Sequence, residues 1–361
     1  MKKTLRLSSI AVGALVLGTL GVMTPQAQDK QIVIRYATPS PQSAHTSASV
    51  IWFAEQVEKR SKGRVKIQVH WNGSLVPGPE TLNAVSTGLV EMGKIFTVSY
   101  KGQIPLWNIG NLAFLNPDPF VAMSTLRDMR AEFPAFRREL EKQGITVIAD
   151  ISAGPTSILS RAPIKSLSDL KGLKVRAAGV QADALKVVGA VPVSIAYGEL
   201  YEALQRGIVD AATVYEPAII SSRLNEVTSH LIYAPLGQAV QGEIVNTAFW
   251  NGLPKDVRDL LQETMDEAII VFLQSYQGKL ESDRQKMKTG EGNIGKLEFY
   301  ALPEDQAKDW EKRLPDPLQV WLKDNKRHGA TEEMVKRFRE LEAKYANILK
   351  TQGYPKSKQG H

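Results

Sequence analysis

Residues 32–70 read IVIRYATPSPQSAHTSASVIWFAEQVEKRSKGRVKIQVH. The two ends, IVIRYA (32–37) and RVKIQVH (64–70), alternate apolar and polar residues, with Val65, Ile67 and Val69 on one face, which is the period of a β-strand. The span between them, roughly Ala44 to Lys62, begins at a Ser and Thr cluster, stops at Gly63 and turns Glu55, Glu58, Lys59 and Arg60 to solvent, as a helix does. Strand, helix, strand is the unit of a parallel sheet, so the chain starts as an α/β protein.

The alternation continues downstream with a helix over 79–90, a strand-like MGKIFTVSY (92–100), a helix over 120–143 and a strand ITVIADI (145–151) that the pair Gly154–Pro155 should close. A second series follows: LKGLKVRAA (170–178), a helix near 181–189, VPVSIA (191–196), a helix over 198–206, IVDAATV (208–214) and a helix around 217–225. In 254–289, Val257, Leu261, Met265, Ala268, Phe272, Tyr276 and Leu280 recur every three or four residues behind Pro254. As one helix this element would reach ~54 Å, enough to cross two lobes; as two, it would break near Gln274–Lys279. Met334, Phe338, Leu341, Tyr345 and Ile348 mark a last amphipathic helix from Thr331.

Upstream, Lys2, Lys3 and Arg6 precede an apolar run from Ile10 to Val22 and the small-residue segment ending at Ala27. The run is shorter than the ~20 residues a membrane-spanning helix needs, so residues 1–27 are expected to be a cleaved secretory signal and the mature protein periplasmic. The remainder suits two lobes of roughly 150 residues. Lobe I is expected over 28–153 plus about 242–280, lobe II over 154–241 plus about 281–310, packed C-terminal helices over 311–353 and a disordered tail over 354–361.

Composition excludes several chemistries. The chain has no cysteine, which removes disulfides and thiol nucleophiles. Losing Lys2, Lys3 and Arg6 with the leader lowers the formal charge from +7 to +4, and basic residues are interspersed with acids, so no nucleic-acid partner is expected. The five histidines lack metal-ligand spacing, and there is neither a GxSxG elbow nor a P-loop. Gly290, Gly292 and Gly295 fit GxGxxG, but they end a helix and lead into the strand-like KLEFYAL, the reverse of a dinucleotide fingerprint, so they are read as a helix stop. No cofactor and no metal are expected. A carboxylate pair for glycoside hydrolysis carries no fixed spacing, which leaves a secreted hydrolase as the alternative from another class.

The segment LSDLKGLKVRAAGVQADALKVVGAVPVSIAYGELYEALQRGIVDAA (167–212), with SYKGQIPLWNIGNLAFL (99–115) and EIVNTAFWNGLPKDVRDLLQETMDEA (243–268), closely resembles the substrate-binding proteins of tripartite ATP-independent periplasmic (TRAP) transporters, the dicarboxylate-binding-protein family. That resemblance implies a two-lobed α/β periplasmic solute-binding fold, with hinge strands and a long helix spanning both lobes. It also implies a non-enzyme that delivers a carboxylate to the integral-membrane subunits of an ion-gradient-driven permease; a component of an ATP-driven importer or a sensor is the alternative.

By the resemblance, Arg176 matches the family arginine that pairs with a ligand carboxylate, a role its planar guanidinium suits. Pattern alone would put it on the solvent face of a strand. Tyr197 falls where members often set an aromatic against the ligand, and an ordinary core tyrosine is the competing reading. Asn246 matches a frequent asparagine that could contact solute or cap a turn. His45 could face the cleft or serve the helix start. The run Asp210 to Pro217 stands where many members carry a Glu-Asn-Pro-like stretch; the asparagine's role does not transfer to Val214, and Thr213, Tyr215 and Glu216 are the candidates there. The second basic residue many relatives place about twenty positions before the arginine is replaced by Gly154, Pro155, Thr156 and Ser157. A monocarboxylate with an apolar or aromatic part is therefore expected, walled by aromatics such as Phe96, Trp107, Tyr197 and Tyr215.

Overall fold

The computed structural model describes residues 31–115 and 118–356; the leader expected over 1–27 and the last five residues of the expected tail lie outside the described residues. Ten strands are present among them: β1 (Ile32–Ala37), β2 (Val65–His70), β3 (Met92–Phe96), β4 (Ile145–Ser160), β5 (Lys174–Arg176), β6 (Val191–Val193), β7 (Ala211–Tyr215), β8 (His230–Tyr233), β9 (Gln238–Asn246) and β10 (Glu298–Ala301). They hydrogen-bond in the order β2-β1-β3-β9-β4-β7-β5-β6, with β8 between β4 and β10. β1 and β2 pair in parallel across the helix His45–Arg60, whose Val50, Phe53 and Val57 are buried.

The 16-residue β4 overturns one expectation. Gly154–Pro155 does not end the strand: β4 runs antiparallel to β9 as far as Pro155 and then pairs with β7 and β8 up to Ser160. Pro155 cannot donate to a ladder, but it sits at a register shift between Ser152 and Pro155 where the ladder is already interrupted, and the Thr156 amide resumes bonding to Gly237 O at 2.8 Å. Gly154 takes φ +114° there, and a Cβ on it would meet the Tyr276 hydroxyl at 2.2 Å. β4 and β9 therefore belong to both lobes: β2, β1 and β3 lie on one side, β7, β5, β6, β8 and β10 on the other.

The helix expected over 120–143 is two, Pro119–Glu132 and Pro134–Lys142, because Pro134 cannot continue a helix and Phe133 takes extended backbone before it. The long element, by contrast, is one uninterrupted helix, Lys255–Thr289, of 35 residues and about 52 Å. Pro254 precedes its first turn and Gly290, at φ +79°, ends it. Val257, Leu261, Met265 and Ala268 pack with Val50 and Phe53 of lobe I, Phe272, Leu273 and Tyr276 with Ile151 near the bulge, and Met287 with Leu231 and Leu297 of lobe II. The helix Glu332–Gln352, capped by Thr331, returns to lobe I through Phe338, Leu341 and Tyr345. Tyr354, placed in the tail by sequence, is anchored: its hydroxyl donates to Asp118 Oδ2 at 2.8 Å.

In lobe I the buried Glu139 carboxylate accepts from the backbone amides of Leu106 (2.7 Å) and Trp107 (3.1 Å), and burial, opposed by those bonds, pushes its pKa up to about 7. Folded Glu139 thus holds a proton the unfolded chain releases above about 4.5, so its contribution to stability is present at low pH and is lost as pH rises through about 7. Glu139→Gln should have an unfolding free energy that gains on the native protein between pH 5 and 8, by an amount on the order of 3 kcal/mol in denaturant titrations; parallel pH profiles would refute this. At the bulge, Gly154→Ala should lose about 2 kcal/mol or more, and adding Tyr276→Phe, which removes the nearest clashing atom, should recover part of that loss in thermal denaturation.

Candidate ligand-binding site

β5 is three residues long, and Arg176 ends it, level with Val193 of β6 and Ala212 of β7. Its Nε donates to Ile195 O at 3.0 Å, and its guanidinium carbon lies 5.8 Å from the centre of the Tyr197 ring. Among the described residues no carboxylate pairs with it, and desolvation by burial lowers its pKa, so the charge is held in an environment that wants an anion. The strand alternates as its pattern suggests, Lys174 exposed and Val175 buried, but Arg176 is only partly exposed, its guanidinium drawn toward Ile195 O and the Tyr197 ring.

Tyr197 stacks on Phe96, with ring centres 5.8 Å apart and 27° between planes. Phe96 ends β3 of lobe I and Tyr197 belongs to lobe II, so this stack bridges the lobes. The Tyr197 hydroxyl also bonds Ser222 Oγ at 2.9 Å. Tyr215 packs in the same cluster with Ala153, Ala218 and Ala239, and burial, then the neighbouring Tyr197, raises its pKa well above the ordinary phenol value. Thr213 lies beneath this group: its hydroxyl is shared between Arg176 O (3.3 Å) and Gln181 Oε1 (3.0 Å), and Gln181 Nε2 reaches Thr156 Oγ1 at 3.1 Å. Arg176, Tyr197, Tyr215 and Phe96 therefore converge, with Thr213 supporting their floor.

The other candidates sit elsewhere. Glu216 makes a two-pronged pair with Arg284 of the long helix, at 2.7 and 2.8 Å, which ties the end of β7 to the spine and uses both carboxylate oxygens. Asn246 caps the helix Thr247–Gly252 by accepting from the Phe249 amide and donates to Val85 O and Ser86 O, so the capping reading describes its bonds. His45 starts the first helix, stacks on Tyr276 and shares a proton with Ser275 Oγ at 3.2 Å, while its Nδ1 is buried without a partner. Burial, then Lys279, lowers its pKa to about 4, which keeps it neutral. Trp107 lies in the lobe I core, its indole N–H on Asp150 and its ring pressed where a Cβ on Gly242 would stand.

Sequence reasoning missed Gln241. It faces Phe96 across the β3–β9 ladder and Ile151 across β4, is fully buried, and lies within reach of the Tyr215 hydroxyl, but at a geometry short of a well-formed hydrogen bond for either amide atom. A buried carboxamide left in this state costs about 1–3 kcal/mol. The signal was available in QAVQGEIVN (238–246), where Gln238, Gln241 and Glu243 interrupt an otherwise apolar strand. Two positions along, Lys94 and Glu243 form a fully buried pair at 3.3 Å, with the Tyr36 hydroxyl also on Glu243 and Lys94 Nζ donating to Thr46 O at 3.1 Å. No group of three His, Asp or Glu side chains that could hold a metal occurs among the described residues.

Residues 36–324 match the family model described as bacterial extracellular solute-binding protein, family 7. The chain is 28% identical over 315 residues, 86% of its length and 92% of the relative's, to a C4-dicarboxylate-binding periplasmic protein of Rhodobacter capsulatus. It is 30% identical over 252 residues, 67% of each chain, to a monocarboxylate 2-oxoacid-binding periplasmic protein of Nostoc sp.. A TRAP solute-binding protein of Rhodoferax ferrireducens, solved with copurified benzoate, superposes with a TM-score of 0.79 over 88% of this chain and 99% of that one at 20% identity. With the two-lobed frame, the shared strands and the spanning helix all in place, the chain belongs to the family 7 bacterial extracellular solute-binding proteins, the substrate-binding proteins of TRAP transporters.

Proposed function

We propose that this protein works in the periplasm, captures a small monocarboxylate with an apolar or aromatic remainder between its lobes, and passes it unchanged to the integral-membrane subunits of a TRAP transporter. The carrying observation is Arg176: a desolvated guanidinium, without a carboxylate partner among the described residues, at the edge of an aromatic cluster built from both lobes. A ligand carboxylate would supply two parallel charge-assisted bonds there.

The charges around the cluster favour one carboxylate over two. Lys94 is matched by Glu243, Arg284 by Glu216 and Lys279 by Asp283, and His45 is neutral above about pH 4. Opposite Arg176 the ligand would meet Phe96, Tyr215 and the poorly bonded Gln241 amide, a wall that suits a ring or short chain bearing a neutral hydroxyl or keto oxygen. The benzoate-bound neighbour and the 2-oxoacid-binding relative have ligands of that general kind.

Residues 28–361 should show a thermal upshift with aromatic or 2-oxo monocarboxylates; a ligand at 1,000 times its dissociation constant adds ~4 kcal/mol. Arg176→Ala should weaken that binding by about 2–5 kcal/mol in calorimetric titration. A C4-dicarboxylate or sugar acid as the tightest ligand would defeat the one-clamp reading, hits indifferent to Arg176→Ala would remove the anchor, and recovery of a chemically altered ligand would point to turnover. Gln241→Leu should move stability and binding in opposite directions, raising the melting temperature by relieving the buried amide while weakening a hydroxy or keto acid about tenfold. Equal affinity in both proteins would place Gln241 outside the site.

A further inference from the structure

Away from the aromatic cluster, a groove of about 750 Å³ is walled by Leu112 of lobe I, Val180 and Val187 of lobe II, and Leu314 and Val320 of the C-terminal helices. Val320 remains 37% exposed. Trp321 also lines it; its indole N–H is taken by Pro105 O at 3.2 Å, so the groove is offered ring carbon. A second recess of about 380 Å³ shares Gly102, Pro105, Arg327 and His328 with the groove, so the two form one trough.

The recess has a different chemistry. Arg138, Lys142 and Arg327 line it, all exposed, and none makes an ion pair among the described residues. Arg327 Nε donates to His328 Nε2 at 3.1 Å. The nearby acid, Glu139, faces inward onto the Leu106 and Trp107 amides. On the groove's rim Asp183 is matched by Lys101 (3.3 Å) and Lys186 (3.1 Å), and Asp324 also lines the groove, three residues before Arg327. The trough is thus apolar at one end and cationic at the other, and each section lies in the size range of small-molecule sites.

We propose that this trough binds a free long-chain carboxylate, its head between Arg138 and Arg327 and its alkyl chain along Val180, Leu314 and Val320. Apolar burial along the groove and charge attraction at the recess favour this orientation, because the reverse would leave the head against Val180, Leu314 and Val320 and the alkyl chain among the arginines.

The test uses the full mature chain and laurate below its micelle-forming concentration, titrated calorimetrically. Laurate should bind at one site, with butyrate and a neutral dodecyl detergent at least tenfold weaker. The double variant Arg138→Glu, Arg327→Glu and the single variant Val320→Asp should each weaken laurate at least tenfold while keeping the native melting temperature; Lys142→Glu replaces the double variant if that one fails to fold. Arg176→Ala should leave laurate affinity within twofold. Loss of laurate in Arg176→Ala would move the ligand to the aromatic cluster, indifference to charge reversal would remove the head site, and binding to anionic vesicles without binding of free laurate would identify a membrane contact; each overturns the proposal.

Discussion

The antiparallel pairing of β4 with β9 is the constraint on which the rest of the molecule hangs. Eleven residues of β4, Ile145–Pro155, lie along β9, and the five that follow pass to β7 and β8 without a loop between. The lobes are consequently joined by continuous ladder, and any change in their angle must bend that ribbon where its hydrogen bonding is weakest. The register shift between Ser152 and Pro155 is that place, and the left-handed Gly154 allows the backbone to pass close beneath Tyr276 of the long helix. The helix contacts both lobes and the bulge, so ribbon and helix together confine the motion to one region, the hinge type of domain movement.

A column of polar side chains on one face of the lobe I sheet extends this frame to the site. Lys94 and Glu243 are buried together and tie β3 and β9 to the first turn of the helix His45–Arg60 through Thr46 O. Removing either partner would strand the other charge at a cost of about 3–5 kcal/mol, so the pair fixes register more than it adds stability. Two residues toward the cleft, Gln241 and Phe96 take the same face. The polar character continues there without charge: Glu243 is held by Lys94 and the Tyr36 hydroxyl, whereas the Gln241 carboxamide has only the Tyr215 hydroxyl beside it.

Most of the α/β frame was legible because each unit carries its own period: IVIRYA and RVKIQVH alternate, and Val257 to Tyr276 repeat at helical spacing. Two of the boundaries that moved turn on proline, in opposite directions. Proline and glycine report local backbone preference, and a neighbouring strand can overrule it, as β9 does at Gly154–Pro155, whereas Pro134, with no such partner, broke its helix. The site was legible in part. Arg176 came from a family resemblance, since pattern alone placed it on solvent. The pairing of Glu216 with Arg284, 68 residues away, and the poor bonding of Gln241 depend on contacts between distant segments, and no local pattern encodes them.

In the proposed role, Arg176 would join capture and closure in one step. Its guanidinium is already partly stripped of water, so the desolvation that normally offsets an ion pair has been met by the fold before a carboxylate arrives. Pairing with a ligand carboxylate uses lobe II alone. Phe96 and Gln241 belong to the shared ladder and lobe I, so on the proposed reading a ligand would gain its apolar contact and its neutral hydrogen bond only where both lobes meet around the Phe96–Tyr197 stack. A ligand shifts a conformational equilibrium only by its difference in affinity for the two states, and here that difference lies in the lobe I contacts. The arginine would then supply recognition common to carboxylates, and the facing wall would decide which carboxylate also draws the lobes together.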